Sequence, residues 1–139
     1  MRDKILKKID NNTWWVALIL SILLLFCISS YGQNSSEVRQ YLYSIDCKYP
    51  DIVTSQAVLE TGHFKSYGCK KRNNLFGLWN HAKQEFYTFN SWEDSCHAYL
   101  SMIQYKYKDG DYYAFLSDIG YASDPNYINK LKKINLGDK

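Results

Sequence analysis

The stretch that most constrains this chain is residues 55–77, SQAVLETGHFKSYGCKKRNNLFG, where a helical apolar pattern runs into Gly62, a polar basic loop and then an apolar corner. Pro50 and Asp51 restart the chain ahead of it, so the spacing predicts a helix capped by Asp51, running to about Thr61 and closed by Gly62. Val53, Gln56, Ala57 and Glu60 fall at i, i+3, i+4 and i+7, which puts one carboxylate on the apolar face of that helix. Partial burial and the negative end of the helix dipole each disfavour the charged form, so both raise the pKa of Glu60. A glutamate that keeps its proton near neutral pH is suited to general-acid chemistry at a glycosidic bond. Position alone equally admits a helix-end glutamate lying in solvent.

A chain of 139 residues has room for one domain. Residues 1–32 read as a secretory signal: Arg2, Lys4, Lys7 and Lys8 form a basic start, Trp14 to Ile28 is apolar but for Ser21, and Ser30-Tyr31-Gly32 offers small residues for cleavage. The alternative is an uncleaved N-terminal membrane anchor, but the apolar run of 15 residues is short of the roughly 20 that span a bilayer. A lipid attachment at Cys27 is disfavoured by bulky Phe26 before it. The expectation is therefore an exported protein, periplasmic or extracellular in the cell envelope, touching the membrane only through this segment.

The whole chain has 17 Lys plus Arg against 14 Asp plus Glu. Four of the bases and two of the acids lie in residues 1–32, which leaves 13 against 12, or +1, for the remainder. A nearly neutral domain does not point to nucleic acid. Lys65, Lys70, Lys71 and Arg72 form a local basic cluster that reads first as a solvated loop. Cys47, Cys69 and Cys96 follow the leader; one disulfide with one thiol left over, or three small core residues, both fit. No paired C-x-x-C or H-x-x-x-H spacing supports a metal site, and no cofactor is expected.

Past a linker at 33–36, Ser36 is a fair N-cap and Val38, Tyr41, Leu42 and Ile45 mark a first helix. Residues 62–74 read as a loop. Beyond Leu75-Phe76-Gly77 the period becomes alternating: Leu78-Trp79 and Glu85 to Phe89 read as a hairpin, with Glu85, Tyr87 and Phe89 on one face. Such a hairpin must pack on helices and would form the second wall of a cleft. Ser91 with Asp94 makes a capping box for a helix whose stripe is Trp92, Cys96, Tyr99 and Ile103 and which ends through Gly110. Tyr112 to Ile119 is a short helix stopped by Gly120, and Asp124-Pro125 opens the last, with Tyr127, Leu131 and Ile134 on one face. The fold class is α+β, mainly helical with a short β-hairpin lobe.

Thirteen tyrosines and four tryptophans exceed what a small core needs, and rings left on a cleft wall stack on the apolar faces of sugars. Trp79, Phe86, Tyr87 and Tyr121 are the candidates, with core packing the plain alternative for each.

Four segments in order, SQAVLETGHFKS, NNLFGLWN, FNSWEDSCHAYL and GYASDPNYINKLKKI, resemble the glucosaminidase domain of bacterial peptidoglycan hydrolases, the mannosyl-glycoprotein endo-β-N-acetylglucosaminidase-like group among lysozyme-like folds. The resemblance covers residues 37–136. It implies a lysozyme-like domain that cuts peptidoglycan glycan strands after N-acetylglucosamine, with Glu60 matching the family's catalytic glutamate in its E-[ST]-G motif. It also carries Tyr121, of the Tyr-Ala-x-Asp-Pro motif, to the cleft, and matches Asn74, Leu75, Phe76 and Gly77 to the corner that frames the substrate groove. Asn74, Phe76 and Gly77, together with the aromatic candidates Trp79 and Tyr87 named above, are the expected substrate-binding set. Relatives draw a second carboxylate from the β-lobe, and Glu85 is the acid of this hairpin; a solvent-facing strand residue is the alternative. Inversion, retention and attack by the substrate's own 2-acetamido group all remain open. The same fold and acid would also serve a lytic transglycosylase or muramidase, and a non-catalytic glycan-binding module is a reading from a different class. The protein is expected to act as a monomer.

Overall fold

The structure, a computed structural model, describes residues 34–137. The expected leader at 1–32 lies outside them. Among the described residues no helix is long and apolar enough to cross a membrane.

Helix α1, Ser35–Ser44, starts ahead of the expected cap at Ser36, because the Asn34 side chain reaches the Glu37 N–H at 3.0 Å. Residues 35 and 36 are thus helical, not linker. Its buried Val38 and Leu42 pack on α2, Pro50–Glu60, the central element of the fold. Tyr49 takes a left-handed conformation before Pro50, whose fixed φ suits the first helical position. Asp51 is therefore not the cap; it lies in the first turn, where its carboxylate pairs with Arg39 Nε at 2.6 Å.

Helix α2 is buried on more sides than its expected stripe, since Val53 through Val58 are all enclosed. Hydroxyls make this possible by turning back on their own helix: Thr54 Oγ1 donates to Pro50 O at 2.7 Å and Ser55 Oγ to Asp51 O at 3.0 Å. A buried hydroxyl bonded in this way does not carry the cost of an unmade hydrogen bond.

The expected loop at 62–74 contains a helix, α3, Tyr67–Arg72, capped by Ser66 Oγ on Cys69 N–H and ended by Asn73 in the left-handed region. Buried Cys69 anchors it, and its basic last turn faces the negative end of the helix dipole. Leu75 and Phe76 then turn into the core. The hairpin is shorter than its alternation suggests: β1, Trp79–Asn80, pairs antiparallel with β2, Glu85–Phe86, in the register Trp79 with Phe86 and Asn80 with Glu85. Tyr87 N still donates to Leu78 O, but Phe89 N bonds Arg72 O at 2.9 Å, so the strand leaves the hairpin to fasten onto the end of α3.

Ser91 caps α4, Trp92–Met102, by accepting from Asp94 N–H, and this helix buries Ser95, Cys96 and Tyr99. It ends well before Gly110, at a 3-10 turn over Gln104–Lys106. Asp111 caps α5, Tyr112–Asp118. Asp124-Pro125 forms a turn before α6, Tyr127–Lys132, with Asp124 Oδ1 accepting from Asn126 N–H; Ile134 falls beyond the helix. The expected α+β architecture, mainly helical with a small hairpin, is the one observed.

Cys47, Cys69 and Cys96 are all buried thiols, so the disulfide reading is not met and they act as small core groups. Burial pushes the Cys47 thiol up to about 11 and raises those of Cys69 and Cys96, which keeps all three in the unreactive thiol form at neutral pH.

Candidate active site

Glu60 closes α2, and the chain after it is held open by Thr61. The Thr61 hydroxyl donates to Ala57 O at 2.6 Å and accepts from Phe64 N–H at 2.8 Å, bracing a turn in which Gly62, His63 and Phe64 all have positive φ. Two consecutive non-glycine residues in that region are costly and persist only where surrounding bonds over-determine them. The turn ends the helix abruptly and leaves the last side chain at the lip of a cleft.

Two cavities meet at Glu60. One, of about 440 Å³, is walled by Phe76, Gly77, Tyr121, Asp124, Tyr127 and others; the second, of about 230 Å³, by Ser66, Arg72, Asn74, Gly77 and Phe86 among others. A third, of about 280 Å³, shares Phe76, Gly77 and Tyr121 with the first and adds Trp79, His81 and Lys106. Gly77 is common to all three. It holds φ at +60°, and a Cβ there would lie 3.3 Å from Glu60 Oε2, so the absent side chain makes room for the carboxylate.

Burial raises the pKa of Glu60, and a hydrogen bond with the Tyr127 hydroxyl offsets part of that rise. The side chain is nevertheless accessible to solvent. Both hold because it is open toward the cleft and enclosed by protein on its other sides: enough water is displaced to favour the neutral acid, and the acid remains reachable.

Behind Glu60 runs a line of buried hydrogen bonds whose direction can be worked out from its far end. Lys48 N–H donates to Gln104 Oε1 at 2.8 Å, which turns Gln104 Nε2 toward Lys48 O at 2.7 Å and Tyr112 Oη at 3.0 Å. Tyr112 therefore accepts from Gln104 and gives its own proton to Tyr99 Oη at 3.0 Å; Tyr99 in turn donates to Gln56 Oε1 at 2.6 Å. This fixes the Gln56 amide with Nε2 toward Tyr127 Oη, at 3.5 Å. Flipping that amide would reverse the Tyr99 hydroxyl and leave Tyr112 facing a donor at both partners. Tyr127, supplied with a hydrogen bond from Gln56, is left to donate to Glu60. Every proton in the line thus points toward the carboxylate, and no buried side-chain polar atom among the described residues lacks a partner.

The other expected site residues divide. Tyr121 is at the cleft: its hydroxyl donates to Phe76 O at 3.0 Å, and burial holds its pKa well above the usual tyrosine range, so it stays protonated. Phe76 contributes to the wall, while its ring is buried 4.5 Å from that of Tyr99. Asn74 lines the second cavity, yet its amide is fully used: Nδ2 donates to Leu78 O and Tyr87 O, and Oδ1 accepts from Leu78 N–H. It clamps the hairpin to the corner. Trp79 lines the third cavity with its ring edge-on to Phe86 at 4.8 Å. Tyr87 stacks on Phe89 and lines none of the three, and Glu85 is exposed on β2 and also lines none of them.

Asp124 is the other carboxylate of the first cavity. Lys130 Nζ, at 2.5 Å, and the Asn126 N–H hold its pKa below the usual range, so it remains ionised. Tyr127 and Gln56 went unassigned in the sequence reading, where both counted as core-facing positions. The signal was Gln56 itself, because a buried amide on an apolar face must find polar partners. Among the described residues no group of three His, Cys, Asp or Glu could hold a metal ion.

A comparison with curated proteins gave no match. The family model described as mannosyl-glycoprotein endo-beta-N-acetylglucosaminidase matches residues 38–136, which include the α2 glutamate, the Gly77 corner, the hairpin and the Tyr121 segment. The chain belongs to this glucosaminidase family, and its domain is of a glycan-hydrolysing, glycoside hydrolase type.

Proposed function

We propose that this protein is an exported peptidoglycan hydrolase, an endo-β-N-acetylglucosaminidase that cuts β-1,4 bonds of the glycan strand with Glu60 as general acid. The observation that carries the reading is the placing of Glu60: one carboxylate, biased toward its neutral form, at the junction of two cavities, with Gly77 leaving space against it. A strand lying along the cleft would present a glycosidic oxygen to Glu60, which gives its proton as the bond to the leaving sugar breaks. The positive charge that develops at the anomeric carbon must then be met by a second group. Asp124 is engaged by Lys130, and Glu85 lies outside the cavities that Glu60 lines, so this reading assigns that role to the substrate's 2-acetamido oxygen. Water then opens the cyclic intermediate as the Glu60 carboxylate takes back a proton from that water.

The basic, apolar leader at residues 1–32 supports export to the cell envelope, where peptidoglycan is met. Reducing-end and mass analysis of the fragments released from purified cell walls tests the bond specificity. New N-acetylglucosamine reducing ends are expected; new muramic acid ends, or anhydro ends, would instead assign a muramidase or a lytic transglycosylase.

A further inference from the structure

The two arms of the cleft differ in charge. In the first, Lys130 is neutralised by Asp124. In the second, Arg72 stands with Ser66, Asn74 and Phe86, and no carboxylate among the described residues pairs with it. Glu60 lines the same arm without forming an ion pair with it.

Arg72 is also held in place. Its guanidinium carbon lies 5.2 Å from the ring centre of Tyr67 and 5.4 Å from that of Phe86, so one ring from α3 and one from β2 flank it. Its carbonyl is tied to Phe89 N–H, and Asn73 beside it donates to Phe89 O and Asn90 O. Aromatic neighbours stabilise a guanidinium by cation–π attraction without using its N–H groups, and a planar fork of donors matches a carboxylate two bonds at a time. An ordered arginine, free of acid partners and next to the reacting carboxylate, is suited to read a charge on the substrate.

We propose that the arm of the cleft holding Arg72 is a subsite for a carboxylate carried on the glycan. The inference rests on the glycan-hydrolase reading above. In a peptidoglycan strand that carboxylate comes either from the lactyl ether of a muramic sugar that bears no peptide or, where the lactyl carboxyl is tied up as an amide, from the attached peptide. A strand of N-acetylglucosamine alone has neither, so Arg72 separates cell-wall glycan from neutral chitin-type glycan.

The test is equilibrium binding by the full chain carrying Glu60→Gln, with and without Arg72→Gln, to three probes. These are peptide-bearing glycan strands, strands stripped of peptide with free lactyl carboxylates, and a neutral N-acetylglucosamine oligosaccharide. Losing one charge-assisted, hydrogen-bonded partner should weaken binding of a carboxylate-bearing strand by about tenfold or more and leave the neutral oligosaccharide unchanged. A loss on the stripped strand alone assigns the free lactyl carboxylate, a loss on the peptide-bearing strand alone assigns the peptide, and a loss on both assigns whichever carboxylate the strand presents at that position. Arg72→Lys, which keeps the charge and loses the fork, should fall between. Equal losses on all three probes, or no loss on any, would overturn the subsite. If the Glu60→Gln chain and the unmodified chain bind none of the three, the glycan reading falls and the subsite falls with it.

Discussion

A side chain on Gly77 would begin 3.3 Å from Oε2 of Glu60, at a residue that already holds φ at +60°. The corner between the core and the hairpin is thus shaped around a single carboxylate. Gly77→Ala should cost about 1–2 kcal/mol of stability for the left-handed conformation, read as a lower Tm. Glycan cleavage should fall further than that, by about tenfold or more, because small misplacements of a reacting group are expensive. A variant with reduced Tm but undiminished kcat/KM would show that the corner shapes the fold and not the acid.

Tyr127 donates the hydrogen bond that favours the ionised form of Glu60. Removing it in Tyr127→Phe leaves burial unopposed, so the pKa of Glu60 rises further. Since a general acid loses activity when it deprotonates, the alkaline limb of the kcat/KM profile should move to higher pH. Gln56→Met, which leaves the Tyr127 hydroxyl unsupplied from behind, should move it the same way by a smaller amount. A profile that stays in place in both variants, with activity retained, would sever the buried line from the chemistry.

The same shift bears on folding. Because the native pKa of Glu60 is raised from its ordinary 4.5, the native state holds this proton more tightly than the unfolded state does. Its contribution is fully present below 4.5 and is lost as pH rises through the native value. Glu60→Gln, neutral throughout, should therefore melt higher than the unmodified protein at pH 7, with the difference shrinking toward zero below pH 4.5. Equal melting temperatures across this range would mean that Glu60 is solvated like any surface acid.

Glu85, the acid of the hairpin, lies exposed on β2, paired through its backbone with Asn80. Glu85→Gln should leave kcat/KM within about twofold, the range of an ordinary surface substitution. A loss of several orders of magnitude would return the second catalytic role to the hairpin.

Much of this arrangement can be read from residue patterns where the cause is local. The end of α2 just before Gly62, the cap at Ser91, and the helix period of Val38 and Leu42 depend on neighbours in the chain. What escaped the reading depends on partners far away. Asp51 sits inside the helix that Pro50 begins and spends its carboxylate on Arg39, 12 positions away. Residues 67–72 look like a basic loop until Cys69 finds the core, and the second strand ends early because Phe89 bonds Arg72. At the candidate site, the place of Glu60 at the end of α2 was legible from its helical spacing. Its support by Tyr127 and Gln56 was not, because the line from Lys48 joins side chains up to 71 positions apart.

The most direct test is product release by Glu60→Gln from purified peptidoglycan, measured by mass spectrometry beside the unmodified protein, with folding checked by circular dichroism. The account predicts a folded variant that releases no soluble muropeptides, where the unmodified protein leaves new N-acetylglucosamine reducing ends. Undiminished release by the folded variant would contradict it.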